Sequence, residues 1–89
     1  PVRAARDGRV VYAGSSLVGY GQLLILKHDD VYLSAYAHNS RLLVKEGDSV
    51  RAGDAIAEMG ATGTDRVRLH FEVRRNGDPI DPLLVLPRR

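Results

Sequence analysis

Apolar residues recur along the chain in short runs separated by glycine-bearing turns, and no stretch sustains a 3.6-residue period. That pattern predicts an all-β domain with little or no helix. Residues 8–12 read as a first strand, closed by Ala13-Gly14-Ser15-Ser16. After Gly19-Tyr20-Gly21, residues 22–28 form an apolar run of the kind expected for a strand covered on both faces. His28-Asp29-Asp30 reads as a hairpin turn into residues 31–38. There Val31, Leu33, Ala35 and Ala37 alternate with Tyr32, Ser34, Tyr36 and His38.

Two Gly-Asp steps, Gly47-Asp48 and Gly53-Asp54, predict two tight turns around a brief strand at Val50. Residues 55–59 form another short strand. The loop Gly60-Ala61-Thr62-Gly63-Thr64-Asp65 leads into a strand over residues 66–74, and Asn76-Gly77 signals a hairpin after it. Alternation puts Arg68, His70 and Glu72 on one face of that strand and Leu69, Phe71 and Val73 on the other. Pro79, Pro82 and Pro87 break up the tail, where residues 81–86 could form one helical turn. The expected inward positions are Val10, Leu24, Leu26, Leu33, Ala35, Ile56, Leu69, Phe71 and Val73.

Composition narrows the function classes. Eighty-nine residues make one domain with one modest core, and 44% apolar with 27% charged residues suits a folded chain. Thirteen basic against eleven acidic residues leave a net charge of +2, and the basic residues are scattered apart from Arg74-Arg75 and Arg88-Arg89. Nucleic-acid binding needs a concentrated basic stripe with stacking aromatics, so it is not expected here. There is no cysteine, which excludes a disulfide framework, a thiol nucleophile and a cysteine zinc site. No apolar run approaches the ~20 residues that span a bilayer. The chain opens on Pro1-Val2 and is expected to be the C-terminal part of a longer envelope protein, lacking the N-terminal edge of its domain.

Three histidines carry the candidate chemistry. His28, beside Asp29-Asp30, reads as a surface residue; His38 ends an alternating strand, and His70 shares a face with Arg68 and Glu72. From pattern alone, His38 and His70 can each be read as a structural histidine, and Arg68 as a solvated surface arginine.

Residues 1–11, Gly19-Tyr20-Gly21 with its apolar strand, Tyr36-Ala37-His38, residues 44–54, Gly60-Ala61-Thr62-Gly63, Leu69-His70-Phe71-Glu72-Val73-Arg74 and Asp81-Pro82 resemble, in order and spacing, the LytM-type (lysostaphin-like, M23) zinc endopeptidases of peptidoglycan. The resemblance spans residues 1–89 and implies a small antiparallel barrel-sandwich, the duplicated hybrid motif. It implies that His70 matches one zinc ligand and His38 a catalytic histidine. Where the family carries His-x-His-Phe-Glu, this chain reads Arg68-Leu69-His70-Phe71-Glu72, so Arg68 replaces the other catalytic histidine. A guanidinium has no lone pair for a metal and cannot shuttle a proton near neutral pH. The family's two remaining ligands, a histidine and an aspartate, belong to a segment preceding the position of Pro1. No catalytic residue, metal site or cofactor is therefore expected.

Residues 7–14, 32–39 and 68–72 are most similar to the catalytically degenerate NlpD-type murein hydrolase activators. That likeness implies a non-catalytic activator of a periplasmic N-acetylmuramoyl-L-alanine amidase in cell separation, tied to the outer membrane only through an upstream lipid anchor. The vacated active-site groove, lined by Tyr36, His38, Arg68 and His70, is expected to dock the partner, with Arg68 as its charged anchor. The main alternative is a zinc endopeptidase cleaving peptidoglycan cross-links, the one reading that calls for zinc. A second is a module that binds peptidoglycan itself. A biotinyl or lipoyl carrier shares the Gly-Asp-x-Val-x-x-Gly turn, but residues 55–60 hold no lysine at the hairpin tip. A missing edge strand would leave room for a dimer or strand exchange.

Overall fold

A computed structural model describes residues 1–17, 19–60, 62, 70–76 and 78–80. Every element among them is a strand: β1 (Val2–Arg3), β2 (Gly8–Gly14), β3 (Gln22–Lys27), β4 (Tyr32–Leu42), β5 (Ser49–Val50), β6 (Ala55–Met59), β7 (His70–Arg75) and β8 (Asp78–Ile80). All pairings are antiparallel. The main path runs β1-β6-β4-β3-β2-β5, and β7 with β8 joins β4 on the side away from β3. β4 is the spine of this curled half-barrel. Its first part lies between β3 and β7, and its last residues, from Asn39, pair with β6.

The core lies inside the curl. Val10, Leu24, Leu26, Tyr36, Val50, Ile56 and Ala57 form one buried cluster with Val2 and Ala4, and Phe71 packs against it. Each fully buried Leu or Ile contributes about 1.5–3 kcal/mol. A smaller cluster of Leu23, Ala35 and Ala37, with Tyr12, Tyr20 and Ile25 against it, covers the opposite face of β3 and β4. The apolar run of residues 22–28 is thus covered on both sides, as its lack of alternation predicts.

The strand parity of β4 differs from expectation. Tyr36 and Ser34 face the main core, whereas Ala35 belongs to the outer cluster and Leu33 is half-buried. Polarity within the core accounts for this. The Tyr36 hydroxyl accepts from the Ala5 backbone N–H at 3.0 Å and bonds Ser34 Oγ at 2.8 Å. Ser34 Oγ meets His28 Nε2 at 2.6 Å, and His28 Nδ1 meets the Asp7 carbonyl at 2.7 Å. A carbonyl only accepts, so the proton sits on Nδ1 in that bond. His28 is therefore half-buried and bonded at both ring nitrogens, not the free surface residue its sequence context suggests. The chain of bonds ties residues 5–7 to β4 and satisfies the polar groups it buries.

The two Gly-Asp turns form as their chemistry demands. Gly47 and Gly53 take φ of 95° and 87°, a region costly for other residues. Asp48 and Asp54 each close their turn twice, with the backbone N–H to the carbonyl three residues back and the carboxylate to the N–H of that same residue. Asn76, at φ 51°, follows β7 in the turn that leads to β8. The expected helical turn at 81–86 lies outside the described residues, as do Leu69 and Gly77.

Candidate functional site: a groove headed by two histidines

Register fixes which side chains share the outer face. Ala37 pairs with His70, Ala35 with Glu72 and Leu33 with Arg74, and directly opposed residues of an antiparallel pair point the same way. His70, Glu72 and Arg74 therefore stand on the face opposite the main core, while Phe71 and Val73 turn toward Tyr36 and Ser34. The alternation expected for this strand holds over residues 70–73.

His38 reaches that face by a different device. Leu24 pairs with Tyr36 and Gln22 with Asn39, so Ala37 and His38 together oppose the single residue Leu23. This is a β-bulge, and His38 sits in it with φ 65°. Strict alternation would place His38 inside with Tyr36; the extra residue hands that inner position to Asn39, which is fully buried. The bulge interrupts the ladder, and the Asn39 side chain mends it, its Nδ2 donating to the Gln22 carbonyl at 3.0 Å and the Tyr36 carbonyl at 2.8 Å. Among the described residues Asn39 Oδ1 is a buried side-chain oxygen without a partner.

Thr62 holds the bulge from above. His38 Nδ1 donates to the Thr62 carbonyl at 2.8 Å, and the His38 backbone N–H donates to the Tyr20 carbonyl at 2.9 Å. Thr62 Oγ1 accepts from the Gln22 backbone N–H at 3.0 Å and donates to the Asn39 carbonyl. Such over-determination is what keeps a non-glycine residue in the left-handed region. The result brings the rings of His38 and His70 to 6.2 Å between centroids at 71°, with the Tyr20 ring 6.3 Å from His70. Glu72 Oε2 lies 3.3 Å from His70 Nε2, and its Oε1 accepts from Arg74 at 3.1 Å.

Below this head runs a groove of about 330 Å³. Its floor is Leu23, Ile25, Leu33 and Ala35, its wall Leu17 and Tyr20, and its polar margin Glu72 and Arg74. Tyr20 and Glu72 belong to both the groove and the histidine head, so the two are continuous.

Of the four groove residues expected from sequence, His38 and His70 come together on this face. Tyr36 does not line it: at 2% exposure it lies in the core, because its hydroxyl is needed by Ala5 and Ser34. Arg68 lies outside the described residues. Tyr20 and Thr62 carry the geometry that sequence reasoning missed. Tyr20, an aromatic flanked by two glycines, was the visible signal; Thr62 gave none beyond its loop. Among the described residues no three His, Cys, Asp or Glu side chains converge as a metal-ligand set, so these residues do not by themselves fit a catalytic zinc, which needs three protein ligands.

A sequence profile of Peptidase family M23 matches residues 1–82. The chain belongs to that family. Within M23 it is 66% identical over 89 residues to a Pseudomonas aeruginosa protein named Lipoprotein NlpD/LppB homolog, covering 100% of this chain and 30% of that one. It is 59% identical over 86 residues to the Escherichia coli protein named Murein hydrolase activator NlpD, covering 97% of this chain and 23% of that one. The chain thus spans under a third of the length of these two relatives. Its fold is also that of M23 peptidases. The catalytic domain of lysostaphin from Staphylococcus simulans superposes with a TM-score of 0.86 at 36% identity, over 94% of this chain and 68% of that one.

Proposed function

We propose that this M23 domain is a non-catalytic activator that docks a peptidoglycan amidase, an N-acetylmuramoyl-L-alanine amidase, in the outer-face groove during cell separation. The observation that carries the reading is the preformed groove itself, aliphatic along its floor and headed by His38 and His70, the residues that by resemblance match a catalytic histidine and a zinc ligand of the family. A concave apolar channel with a few convergent polar groups suits the binding of a peptide element. The relatives at 59–66% identity, with names that include murein hydrolase activator and lipoprotein, support the same reading. They also support a parent protein resident in the envelope, with this domain on the periplasmic side of an outer-membrane anchor.

Arg68 enters as the partner contact. It lies outside the described residues, two positions before His70 in the sequence, and a guanidinium's fork of donors suits a carboxylate or backbone carbonyls of a partner. Arg68→Ala is expected to weaken stimulation of a purified amidase on isolated sacculi while leaving the unfolding transition in place. Equal stimulation by parent and variant would refute the anchor. Muropeptide release without amidase, together with one bound zinc per chain, would replace the activator reading with the endopeptidase one.

A further inference from the structure

Resting on that reading of the groove, we infer that the end of the groove away from the histidines opens onto a cation pair, Arg9 and Lys27, which takes a side-chain carboxylate of the docked amidase segment. Strand register builds this foot. On the outer face Tyr12, Ile25, Ala35 and Glu72 oppose one another in a row that crosses the groove floor. The next outer-face row is Arg9, Lys27, Leu33 and Arg74. Val10 and Leu26, between the two rows, turn into the main core, so Arg9 and Lys27 point outward together. Leu33 belongs to the groove and directly opposes Lys27, which makes the apolar floor continuous with the cations. Lys27 lies four residues along β3 from Leu23, the floor residue below His38, or about 14 Å at the rise of an antiparallel strand.

Charge decides what the foot takes. Directly opposed side chains stand about 4.5–5.5 Å apart at Cβ, and like charges so placed destabilise a sheet. Arg9 and Lys27 are such a pair, both exposed, and neither forms an ion pair among the described residues. The carboxylates around them are engaged elsewhere or stand off. Asp29 accepts from the Val31 and Tyr32 N–H groups at 2.8 Å each and faces Arg6 at 4.0 Å. Glu72 meets Arg74 at 3.1 Å, which takes Arg74 out of the foot. Asp30 and Glu46 border the row and pair with neither cation. An Asp or Glu laid between Arg9 and Lys27 turns their repulsion into two charge-assisted hydrogen bonds, while apolar side chains of the same segment fill the floor.

The test follows binding of a purified N-acetylmuramoyl-L-alanine amidase, one whose digestion of sacculi the parent chain stimulates, to the immobilised 89-residue chain. Surface plasmon resonance at about 50 and about 300 mM NaCl gives rates and affinities under weak and strong screening. Arg9→Gln with Lys27→Gln is expected to weaken binding about two- to thirtyfold at low salt, the worth of two exposed ion pairs, and each single variant to show part of that loss. The loss should fall mainly on the association rate, and the double variant should depend less on salt. Arg41→Gln, which removes an exposed cation toward the other end of β4, is the control and should change neither. Neutralising opposed cations relieves repulsion, so the urea midpoint of the double variant should hold or rise, which separates a lost contact from a damaged fold. Equal affinity for parent and double variant, an undiminished salt dependence, or an equal loss in Arg41→Gln refutes the inference. So does a double variant that no longer pellets with sacculi in the absence of amidase yet keeps the parent's affinity for the enzyme, which would assign the row to carboxylates of the wall. A parent chain that stimulates no amidase would sink the activator reading and this inference with it, whereas a stimulated amidase that binds parent and double variant alike sinks the foot alone.

Discussion

Substituting Gly21 with alanine tests the site without touching either histidine. Gly21 has φ 62°, and a Cβ built there runs into the carbonyl of Thr62 and comes within 2.6 Å of its Oγ1. Thr62 can yield only by giving up its bonds to Gln22 N–H, the Asn39 carbonyl and His38 Nδ1. Gly19 supplies the control: it has φ 92°, yet a Cβ there meets nothing within 4 Å. Gly19→Ala therefore isolates the backbone cost of a left-handed alanine, about 1–2 kcal/mol. Gly21→Ala carries that cost plus three hydrogen bonds at about 0.5–1.5 kcal/mol each, or about 2.5–6.5 kcal/mol in total. A domain of this length is stable by about 5–13 kcal/mol, so the second variant sits close to failure. Urea unfolding followed by far-UV circular dichroism gives both midpoints, with an unchanged slope required for the comparison. The His38 ring signals should move in Gly21→Ala and stay in Gly19→Ala. Equal midpoints for the two variants would refute the reasoning, since Thr62 would then not be seated by close approach to Gly21.

Three further expectations follow from the packing. Tyr36→Phe strips the acceptor from the Ala5 N–H and cuts the bonded chain to His28, and should cost about 1–3 kcal/mol in urea. The same tyrosine has an alkaline signature: burial pushes its pKa above the ordinary value of 10.0, so the folded state keeps a proton that the unfolded chain loses. Stability therefore falls as pH rises past 10.0, and Tyr36→Phe should remove that part of the slope. Asp29 behaves oppositely, its carboxylate held below the usual 3.8 by the backbone N–H groups of Val31 and Tyr32, with Arg6 and His28 adding to this. Its contribution is present above that range and lost as pH falls through it, so Asp29→Asn should flatten the acid limb of an unfolding-versus-pH profile. Asn39→Ala orphans the Gln22 and Tyr36 carbonyls and should cost on the order of 3 kcal/mol in the same urea assay.

What could be read from the chain divides by the range of the interactions. The Gly-Asp turns were legible because each is closed within four residues, glycine supplying positive φ and aspartate the cap. The alternation of β7 was legible because the strand pairs without a shift over residues 70–75. The inward face of β4 was not. Leu33 and Ala35 look like core beside Ser34 and Tyr36, and only the distant Ala5 N–H and His28 ring make the polar pair the better occupants of the interior. Tyr36 was misplaced for the same reason.

The position of His38 depends still more on distant residues. Nothing in Tyr36-Ala37-His38-Asn39 announces a left-handed histidine, and β propensity favours an unbroken ladder there. The bulge persists because the Tyr20 carbonyl, the Thr62 carbonyl and the Asn39 carboxamide take up what the ladder loses. Those groups come from two loops and the next residue of β4, 18 to 24 positions away in the case of the loops. One extra residue opposite Leu23 is therefore what turns a core position into a groove position. Without it His38 would lie beneath the sheet with Tyr36, and His70 would stand on the outer face without its neighbour.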